Sequence, residues 1–392
     1  MQTNTQPAAK HVKQAIRRGL DFLVRHQVTN RASADHGRLP FVYDCQMEKV
    51  LNYSTNWTTG VAIEALLAGY RAFSVVGYKD AAQRAVGYLY SLQHLDQRDQ
   101  RLYGVFHEET PQTPMAHPRD ALTAAWSLLD WYELEGDQKA LDRSGIYADW
   151  FVRVAMEKGY PYWTVRFDDQ PWEPTWCGSF HSGSAFFMGR MFELTGDQRY
   201  INAMHTILDF YNQHHLLEDG QIRVILDRDT HACLDGHADG RYSNRGWEMM
   251  HVYNDDFGAM ANMACWKLTG DESYKQAAER FFDRMVACQN EDGGFGPQGQ
   301  SVPSGVGAIL MQMLLARQLG LKRISDDVLD RAASYLMDIQ VRDEGTLSDG
   351  AFHGFDDDYQ LNRRYANLRA GAYAVMALLR YAGYTDRIYW LD

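Results

Sequence analysis

The sequence predicts an all-α fold, an (α/α)6 toroid in which six helix hairpins form a single domain over residues 1–392. Three observations predict it. A short junction motif recurs along the chain, two kinds of helix alternate, and long loops alternate with short turns.

The first observation is a recurring Gly-Asp junction between two helices. Gly196-Asp197 and Gly270-Asp271 are two copies, and each is followed three residues later by a tyrosine, Tyr200 or Tyr274. Glycine is favoured just after the end of one helix and aspartate just before the start of the next. Cutting the chain at these and similar marks gives six units, which begin near His11, Gly77, Gln138, Gln198, Glu272 and Leu321.

The second observation is that two helix types alternate. Segments 12–26 and 277–289 carry apolar residues on one stripe, as helices on the outside of a protein do. Other segments are apolar almost all round, which indicates buried helices: 60–68, 121–129, 259–266 and 370–379. Six units complete a ring, and no terminal unit resembles a polar cap, so we favour closure over an open superhelix.

Composition limits the possible partners. The 392 residues carry a net charge of −12 and contain no basic run, which argues against binding to nucleic acid or to an anionic membrane. The N-terminus is polar, and the five cysteines are widely spaced without a CxxC pair. We therefore expect a cytoplasmic protein with reduced thiols. Neither a cofactor nor a metal is predicted, and the oligomeric state is left open.

The third observation concerns the loops. Those that lead from outer to inner helices are mostly long and, in a toroid, surround one mouth. Aromatic side chains stack on sugar faces, whereas carboxylates and arginines bind hydroxyl and carboxylate groups. For any single charged loop residue, the alternative is an ion pair with another loop residue on the solvent-exposed rim of the mouth. The predicted substrate-binding residues are Trp57, Glu108, Arg119, Asp120, Trp163, Arg166, Trp172, Trp176, Trp247, Tyr253 and Arg364.

Catalytic candidates are carboxylates and one histidine. Asp255 and Asp256 precede a buried helix, where one could cap the helix and the other act as an acid; a double cap is the alternative. Asp168, which precedes another aspartate, is either one of a carboxylate pair or part of a solvated turn. His181 lies among small residues, and base, substrate-ligand and helix-cap roles all remain open.

Further polar residues stand in the same loops without a specific pattern. A metal site near His231, Asp235 and His237 is possible from composition, but the spacing matches no defined motif. His107, Glu109, His117 and Arg228 add to the polar content of the loops. A thiol nucleophile at Cys177 is a weaker alternative.

Residues 254–274 resemble a known family of enzymes. Asn254-Asp255-Asp256, a helix, then Gly270-Asp271 and Tyr274 resemble the endo-α-1,6-mannanase pattern, in which an adjacent aspartate pair is catalytic. The resemblance implies acid/base and nucleophile roles for Asp255 and Asp256. This sequence differs from the mannanase pattern in one respect: the aspartate pair belongs to the fourth unit rather than to an early one. The hairpin rhythm is similar to that of six-hairpin carbohydrate-active toroids in general, which include hydrolases, lyases and epimerases.

A second, weaker resemblance attaches to the loop after Gln289. Its Gly293-Gly294-Phe295 is similar to loops of the squalene cyclase and prenyltransferase toroids, and helices also end at Gln93 and Gln340. The cyclase Asp-x-Asp-Asp motif and the prenyltransferase zinc ligands are not evident.

The function predicted from these features is that of a glycoside hydrolase with paired carboxylates. Its substrate would be an oligosaccharide or a polysaccharide containing uronic acid. A lyase or epimerase that removes a proton with histidine or tyrosine is the first alternative. A terpenoid cyclase or prenyltransferase and a non-catalytic binding toroid are the others.

Overall fold

A computed structural model describes residues 5–168, 172, 176–235, 245–253, 257–321, 324–355 and 360–384. The side chains of residues 5–9 and 245–248 are not described. Asp255 and Asp256 therefore lie outside the described residues, as does the side chain of Trp247.

Helices dominate the described chain, and most of them form hairpins of one outer and one inner helix. The outer helices are α1 (Thr5–His26), α3 (Val76–Leu92), α5 (Gln138–Trp150), α7 (Gln198–Phe210), α10 (Glu272–Ala287) and α12 (Asp326–Asp338). The inner helices are α2 (Asn56–Phe73), α4 (Pro118–Glu135), α6 (Ser182–Thr195), α9 (Gly258–Thr269), α11 (Pro303–Gln318) and α13 (Leu368–Tyr381). A short helix, α8 (Arg245–Val252), precedes α9.

The Gly-Asp junctions end one helix and begin the next as predicted. Gly196 has a left-handed φ of 70° and donates its N–H to Phe192 O, while the carboxylate of Asp197 accepts from the N–H of Arg199 at 2.9 Å. Gly270 closes α9 in the same way, with a φ of 75°. These contacts satisfy backbone groups that a helix end leaves free.

The tyrosine of each junction has a structural partner. Tyr200 donates its hydroxyl to Asp149 at 2.9 Å, and Tyr274 donates to Asp209 at 2.7 Å. In both cases the acceptor belongs to the preceding outer helix or its end. The tyrosine that contributes to the mannanase resemblance therefore joins neighbouring hairpins.

Short antiparallel strands lie in the loops. The strands are β1 (Pro40–Asp44), β2 (Lys49–Tyr53), β3 (Met115–Ala116), β4 (Val165–Arg166), β5 (Trp176–Gly178), β6 (Ile225–Asp227), β7 (His353–Phe355) and β8 (Leu361–Asn367). One sheet has the order β2-β1-β8-β7, and β3–β4 and β5–β6 form two smaller sheets.

The chain divides into two compact units, each with its own core. The first comprises residues 1–54, 61–85 and 288–392, and the second comprises residues 55–60 and 86–287. In the first, α11 packs on α12 and α13, and α1 packs on α13. In the second, α4 packs on α5, and α6 packs on α7 and α9. The single-domain assignment stays a prediction.

Burial follows the two predicted helix types. Inner helices such as α4 and α11 are buried around most of their circumference, whereas α7 and α12 bury one face. No helix among the described residues is long and apolar enough to cross a bilayer. All five cysteines are free thiols.

Candidate active site

Several predicted site residues converge around the N-terminus of α4, all in the second unit. The β3–β4 pairing places Ala116 opposite Val165 and so joins the loop before α4 to the loop before α6. His117 follows β3, and its ring stacks on Trp163 with centroids 4.3 Å apart. Two loops that are about 50 residues apart in sequence therefore share one wall of the site.

Glu108 and Asp120 form a buried carboxyl pair. Both side chains are almost fully buried, and a hydrogen bond joins them. The second oxygen of Glu108, Oε2, accepts from the backbone N–H of His117 at 3.0 Å. Burial raises the pKa of Glu108 well above its ordinary value, and the neighbouring carboxyl of Asp120 raises it further. The raised pKa favours the protonated form of Glu108, because two carboxyls this close do not readily ionise together.

Arg119 links the carboxyl pair to an aromatic ring. Its guanidinium donates to Asp120 at 3.1 Å and lies over the ring of Trp57, with the central carbon 3.3 Å from the ring centroid. The pair therefore carries one carboxylate balanced by one arginine. Four of the predicted substrate-binding residues meet here: Trp57, Glu108, Arg119 and Asp120.

An aromatic cluster lies beside His117. Trp163 contacts Trp176, with ring centroids at 5.5 Å, and Phe180 at 4.6 Å, and Phe180 in turn contacts His251 at 4.9 Å. Trp163 is only partly buried, whereas Trp176 and Phe180 belong to the core. The cluster thus packs the partly buried ring of Trp163 on the two buried rings of Trp176 and Phe180.

His181 lies in the turn that leads into α6 and is fully buried. Neither ring nitrogen has a hydrogen-bond partner among the described residues. Burial lowers the pKa of His181 well below its ordinary value, and the charges of Arg228 and Arg119 lower it further. The imidazole is therefore neutral.

Asp168 and Arg166 form a bidentate ion pair at a half-exposed position. Arg166 donates from Nε and Nη2 to the two oxygens of Asp168, both at 2.7 Å. This ion pair agrees with the alternative that charged loop residues pair with each other on the solvent-exposed rim. Trp172 lies nearby in sequence and is covered by the guanidinium of Arg101, 4.0 Å from the ring centroid.

Two other predicted residues have different settings. Tyr253 is buried in the second unit, where it follows α8. Arg364 belongs to the first unit and donates from Nε to Asp44 at 2.9 Å, which joins β8 to β1. Its guanidinium has a structural partner, and a substrate-binding role for it stays a prediction.

Residues outside the predicted site list also contribute. His117 and Arg228 were named only as polar loop residues, and Phe180 was not considered. Arg228 donates to three backbone carbonyls, those of Tyr160 at 2.8 Å, Pro161 at 3.0 Å and Trp176 at 3.3 Å. A histidine directly before the Pro-Arg-Asp start of α4 was the available sequence signal for His117.

The weaker alternatives gain no support. Asp235 accepts the N–H groups of Val224 and Ile225, both at 2.8 Å, so its oxygens serve the backbone. His237 lies outside the described residues, which contain no cluster of three or more side chains that could hold a metal ion. Burial raises the pKa of Cys177 to about 11, which disfavours the thiolate that a nucleophile needs.

Comparison with solved structures identifies the fold. No protein-family model and no curated protein sequence matches the chain. The chain is similar to the unsaturated glucuronyl hydrolase of a Bacillus species, with 17% identity and a TM-score of 0.70 over 94% of this chain and 96% of that chain. It is also similar to the cellobiose 2-epimerase of Bacillus thermoamylovorans, with 12% identity and a TM-score of 0.70 over 94% and 99%.

A third similar structure is an inactive α-1,6-mannanase from a Salegentibacter species, solved with α-1,6-mannotriose. In that variant two consecutive aspartates are replaced by asparagine; identity is 13% and the TM-score is 0.62, over 95% of this chain and 100% of that chain. All three structures are (α/α)6 toroids of carbohydrate-active enzymes. The chain has their fold, and the fold class predicted from its sequence is confirmed.

Proposed function

We propose that this protein is a carbohydrate-active enzyme and, more specifically, a glycoside hydrolase. The observation that carries the proposal is the buried pair of Glu108 and Asp120 at the start of α4, with Arg119 and Trp57 against it. Carboxylates and an arginine at the start of an inner helix suit a sugar, whereas a terpenoid needs a dry, apolar lining. The names of the three similar enzymes support the same substrate class.

The chemistry assigned to the pair is proton donation. Asp120 is the more exposed of the two carboxyls and is hydrogen-bonded to Glu108. The proton of Glu108 would pass through the Asp120 carboxylate to the glycosidic oxygen as the bond to the anomeric carbon breaks. Glu108 does not touch the sugar in this scheme; it is a positioning residue that keeps the proton available.

A second carboxylate must activate water. Water adds to the anomeric carbon, and its proton passes to this second group. The resemblance to mannanases makes Asp255 or Asp256 the candidate, and the Salegentibacter enzyme is inactive when two consecutive aspartates are replaced. Glu108 and Asp120 cannot supply both roles, because carboxyls within hydrogen-bond distance leave no room for a sugar between them.

The test is turnover of defined sugars by paired variants. We expect release of a reducing end from at least one of α-1,6-mannotriose, cellobiose or an unsaturated glucuronyl disaccharide. Asp120→Asn should lower kcat by about 10²–10⁴-fold, since it removes an acid catalyst. Asp256→Asn tests the second carboxylate in the same assay.

The control for this assay is Asp197→Asn, which changes a partly exposed helix cap. Asparagine caps as well as aspartate, so turnover should be unchanged. Wild-type turnover by Asp120→Asn would contradict the role of the carboxyl pair.

An epimerase is the second candidate because His181 is neutral and has two free ring nitrogens. Such a group can remove a proton from a sugar carbon. A product of unchanged mass and altered configuration, abolished by His181→Asn and retained by Asp120→Asn, would select this candidate over hydrolysis.

A further inference from the structure

The residue before α4 is a histidine whose side chain does not cap the helix. The outer helices α5 and α7 begin after Asp137 and Asp197, and each of these carboxylates accepts a backbone N–H of the first turn. His117 occupies the same place before α4, but its side chain makes no such bond. Serine, threonine, asparagine and aspartate are the residues that stabilise helix starts in this way. Helix stability therefore does not explain a histidine at this position.

The ring of His117 is held by the loop that precedes α6. Its Nδ1 lies 3.2 Å from the backbone oxygen of Trp163 and 3.2 Å from Oγ1 of Thr164, and the imidazole stacks on the indole of Trp163 at an interplanar angle of 29°. A carbonyl oxygen only accepts hydrogen bonds, so Nδ1 carries a proton and donates to Trp163 O. The loop thus determines both the orientation of the ring and the nitrogen that is protonated.

The backbone of His117 is bonded to both members of the carboxyl pair. Its N–H donates to Oε2 of Glu108 at 3.0 Å, and its carbonyl accepts the N–H of Asp120 at 2.9 Å. With φ of −99° and ψ of 115°, His117 has extended backbone, and its N–H lies outside the hydrogen-bond ladder of α4. The helix therefore does not fix the direction of this N–H. The two-residue strand β3 and the contacts of the ring do so.

The N–H of His117 opposes the other influences on Glu108. Burial and the carboxyls of Asp120 and Glu109 raise the pKa of Glu108, whereas the hydrogen bond from His117 lowers it. The guanidinium of Arg119 is paired with Asp120 at 3.1 Å. Rotation of the peptide group before His117 would weaken the bond to Glu108 and leave Glu108 a weaker acid. The orientation of this peptide group therefore affects how readily the pair gives up a proton.

We propose that His117 is a positioning residue for the carboxyl pair, and that Trp163 acts through His117 rather than as a platform for a sugar. The indole and the carbonyl of Trp163 hold the ring of His117, and the peptide group of His117 holds Glu108. This inference rests on the proposed function, because it assigns to both residues a part in proton donation by Glu108 and Asp120.

The first test needs no substrate. The side-chain carboxyl of Glu108 is titrated by NMR in protein that contains isotope-labelled glutamate, and its signal is assigned by its loss in Glu108→Gln. His117→Ser can cap α4 but cannot reach Trp163. We expect its thermal stability to be equal to or higher than that of the wild type, and the titration of Glu108 to move by about 1 pH unit to higher pH. A titration of Glu108 that is the same in His117→Ser and in the wild type would overturn the proposal.

The matched control is His26→Ser in the first unit. The ring of His26 also packs on an aromatic ring, that of Tyr43, with centroids 4.5 Å apart, and its Nε2 lies 2.9 Å from Leu347 O. The variant therefore removes contacts of the same kind far from the carboxyl pair in sequence. The titration of Glu108 should be that of the wild type.

The second test asks whether Trp163 acts through His117. Trp163→Leu removes the stacked ring and should move the titration of Glu108 to higher pH, whereas Trp163→Phe keeps an aromatic face and should move it less. Combined with His117→Ser, Trp163→Leu should add no further shift, because both changes break the same contact. Additive shifts would contradict action through His117. An unmoved titration with weaker sugar binding in Trp163→Leu would show that Trp163 is a sugar platform.

Turnover separates this proposal from the hydrolase. If a sugar is hydrolysed, His117→Ser should lower kcat by about 10–10²-fold with little change in KM, because a misplaced acid slows the chemical step. A shifted titration of Glu108 without hydrolysis of any sugar would leave the positioning role standing and reject the hydrolase. An unmoved titration with wild-type hydrolysis by His117→Ser would reject the positioning role alone.

Discussion

At the scale of single residues, the carboxyl pair shows how burial creates chemistry from ordinary side chains. Glu108 and Asp120 are separated by twelve residues and belong to a loop and a helix. Neither carries a distinctive motif. Their pairing follows from the loop that returns to the start of α4, where the backbone N–H of His117 holds one oxygen of Glu108.

The proton on Glu108 has a consequence for stability. Its pKa is raised in the folded state by burial and by Asp120, whereas an unfolded glutamate has a pKa of about 4.3. Folding therefore retains a proton that unfolding releases. The stability contributed by Glu108 is complete below the unfolded pKa and is lost as pH rises through the raised folded pKa.

Glu108→Gln should remove this pH dependence, because glutamine stays neutral. The free energy of unfolding of the variant, measured in urea, should approach or exceed that of the wild type as pH rises. The difference between them should change by up to about 1.4 kcal/mol per pH unit above pH 4.3. Ser144→Ala, which removes a buried hydroxyl that does not titrate, is the control, and its difference from the wild type should not vary with pH. A difference that does not vary with pH would contradict a proton on Glu108.

At the scale of elements, four hairpins share a contact that we call the glutamine clasp. In each, a glutamine just after an outer helix donates Nε2 to two carbonyls, one on a glycine of its own loop and one on the next outer helix. The four clasps are Gln27 with Gly37 and Ala81, Gln93 with Gly104 and Arg143, Gln289 with Gly293 and Val328, and Gln340 with Gly350 and Ala15.

The clasp explains the sequence pattern that resembles the cyclase toroids. Gln93, Gln289 and Gln340 are the residues that carried that resemblance, and here they join consecutive hairpins. The third and fourth hairpins have other residues at this place. Among the described residues, His215 is hydrogen-bonded within its own loop, to Arg223 O at 2.7 Å. These two hairpins are the ones with the enlarged loops; they supply the aromatic cluster and His181, whereas the carboxyl pair belongs to the second hairpin.

Gln93→Met should destabilise the protein without changing side-chain size. Two buried carbonyls, those of Gly104 and Arg143, would lose their donor, at a cost of about 2–4 kcal/mol. Gln83→Met, at an exposed position in α3, should change stability by less than about 0.5 kcal/mol. Urea denaturation measures both, and equal stability of the two variants would show that the clasp contributes nothing.

At the scale of the whole molecule, the first unit joins the two ends of the described chain. Helix α1 packs on α13, and Gln340, from the last hairpin, donates to Ala15 O in the first at 2.8 Å. A ladder of hairpins with free ends would lack this contact. The closure predicted from the count of six units agrees with it.

Gly19 provides a test of this contact. A Cβ there would lie 2.6 Å from Cγ2 of Val375 in α13 and 2.9 Å from the ring of Phe352. Gly19→Ala should therefore destabilise the protein by about 1–3 kcal/mol, as overpacking does. Gly87→Ala, with open space around it in α3, should instead stabilise by about 0.5–1 kcal/mol. Thermal unfolding compares them, and a stabilising Gly19→Ala would contradict the tight packing of α1 on α13.

The sequence by itself determined the hairpin architecture, because that information is local. Apolar periodicity distinguishes inner from outer helices, and Gly-Asp junctions mark their ends; the predicted starts at Gln138, Gln198 and Glu272 match α5, α7 and α10. Short strands such as β3 and β4 were not predicted, since two residues carry no period.

Only the tertiary structure decided what the loop residues do. Arg364 pairs with Asp44 across 320 residues, and Arg166 pairs with Asp168 across two, yet their sequence contexts gave both the same predicted role. Glu108, predicted to bind substrate, is a buried acid whose pKa is raised. A side chain's charge, partners and pKa depend on burial and on neighbours that are distant in sequence, and no local pattern encodes them.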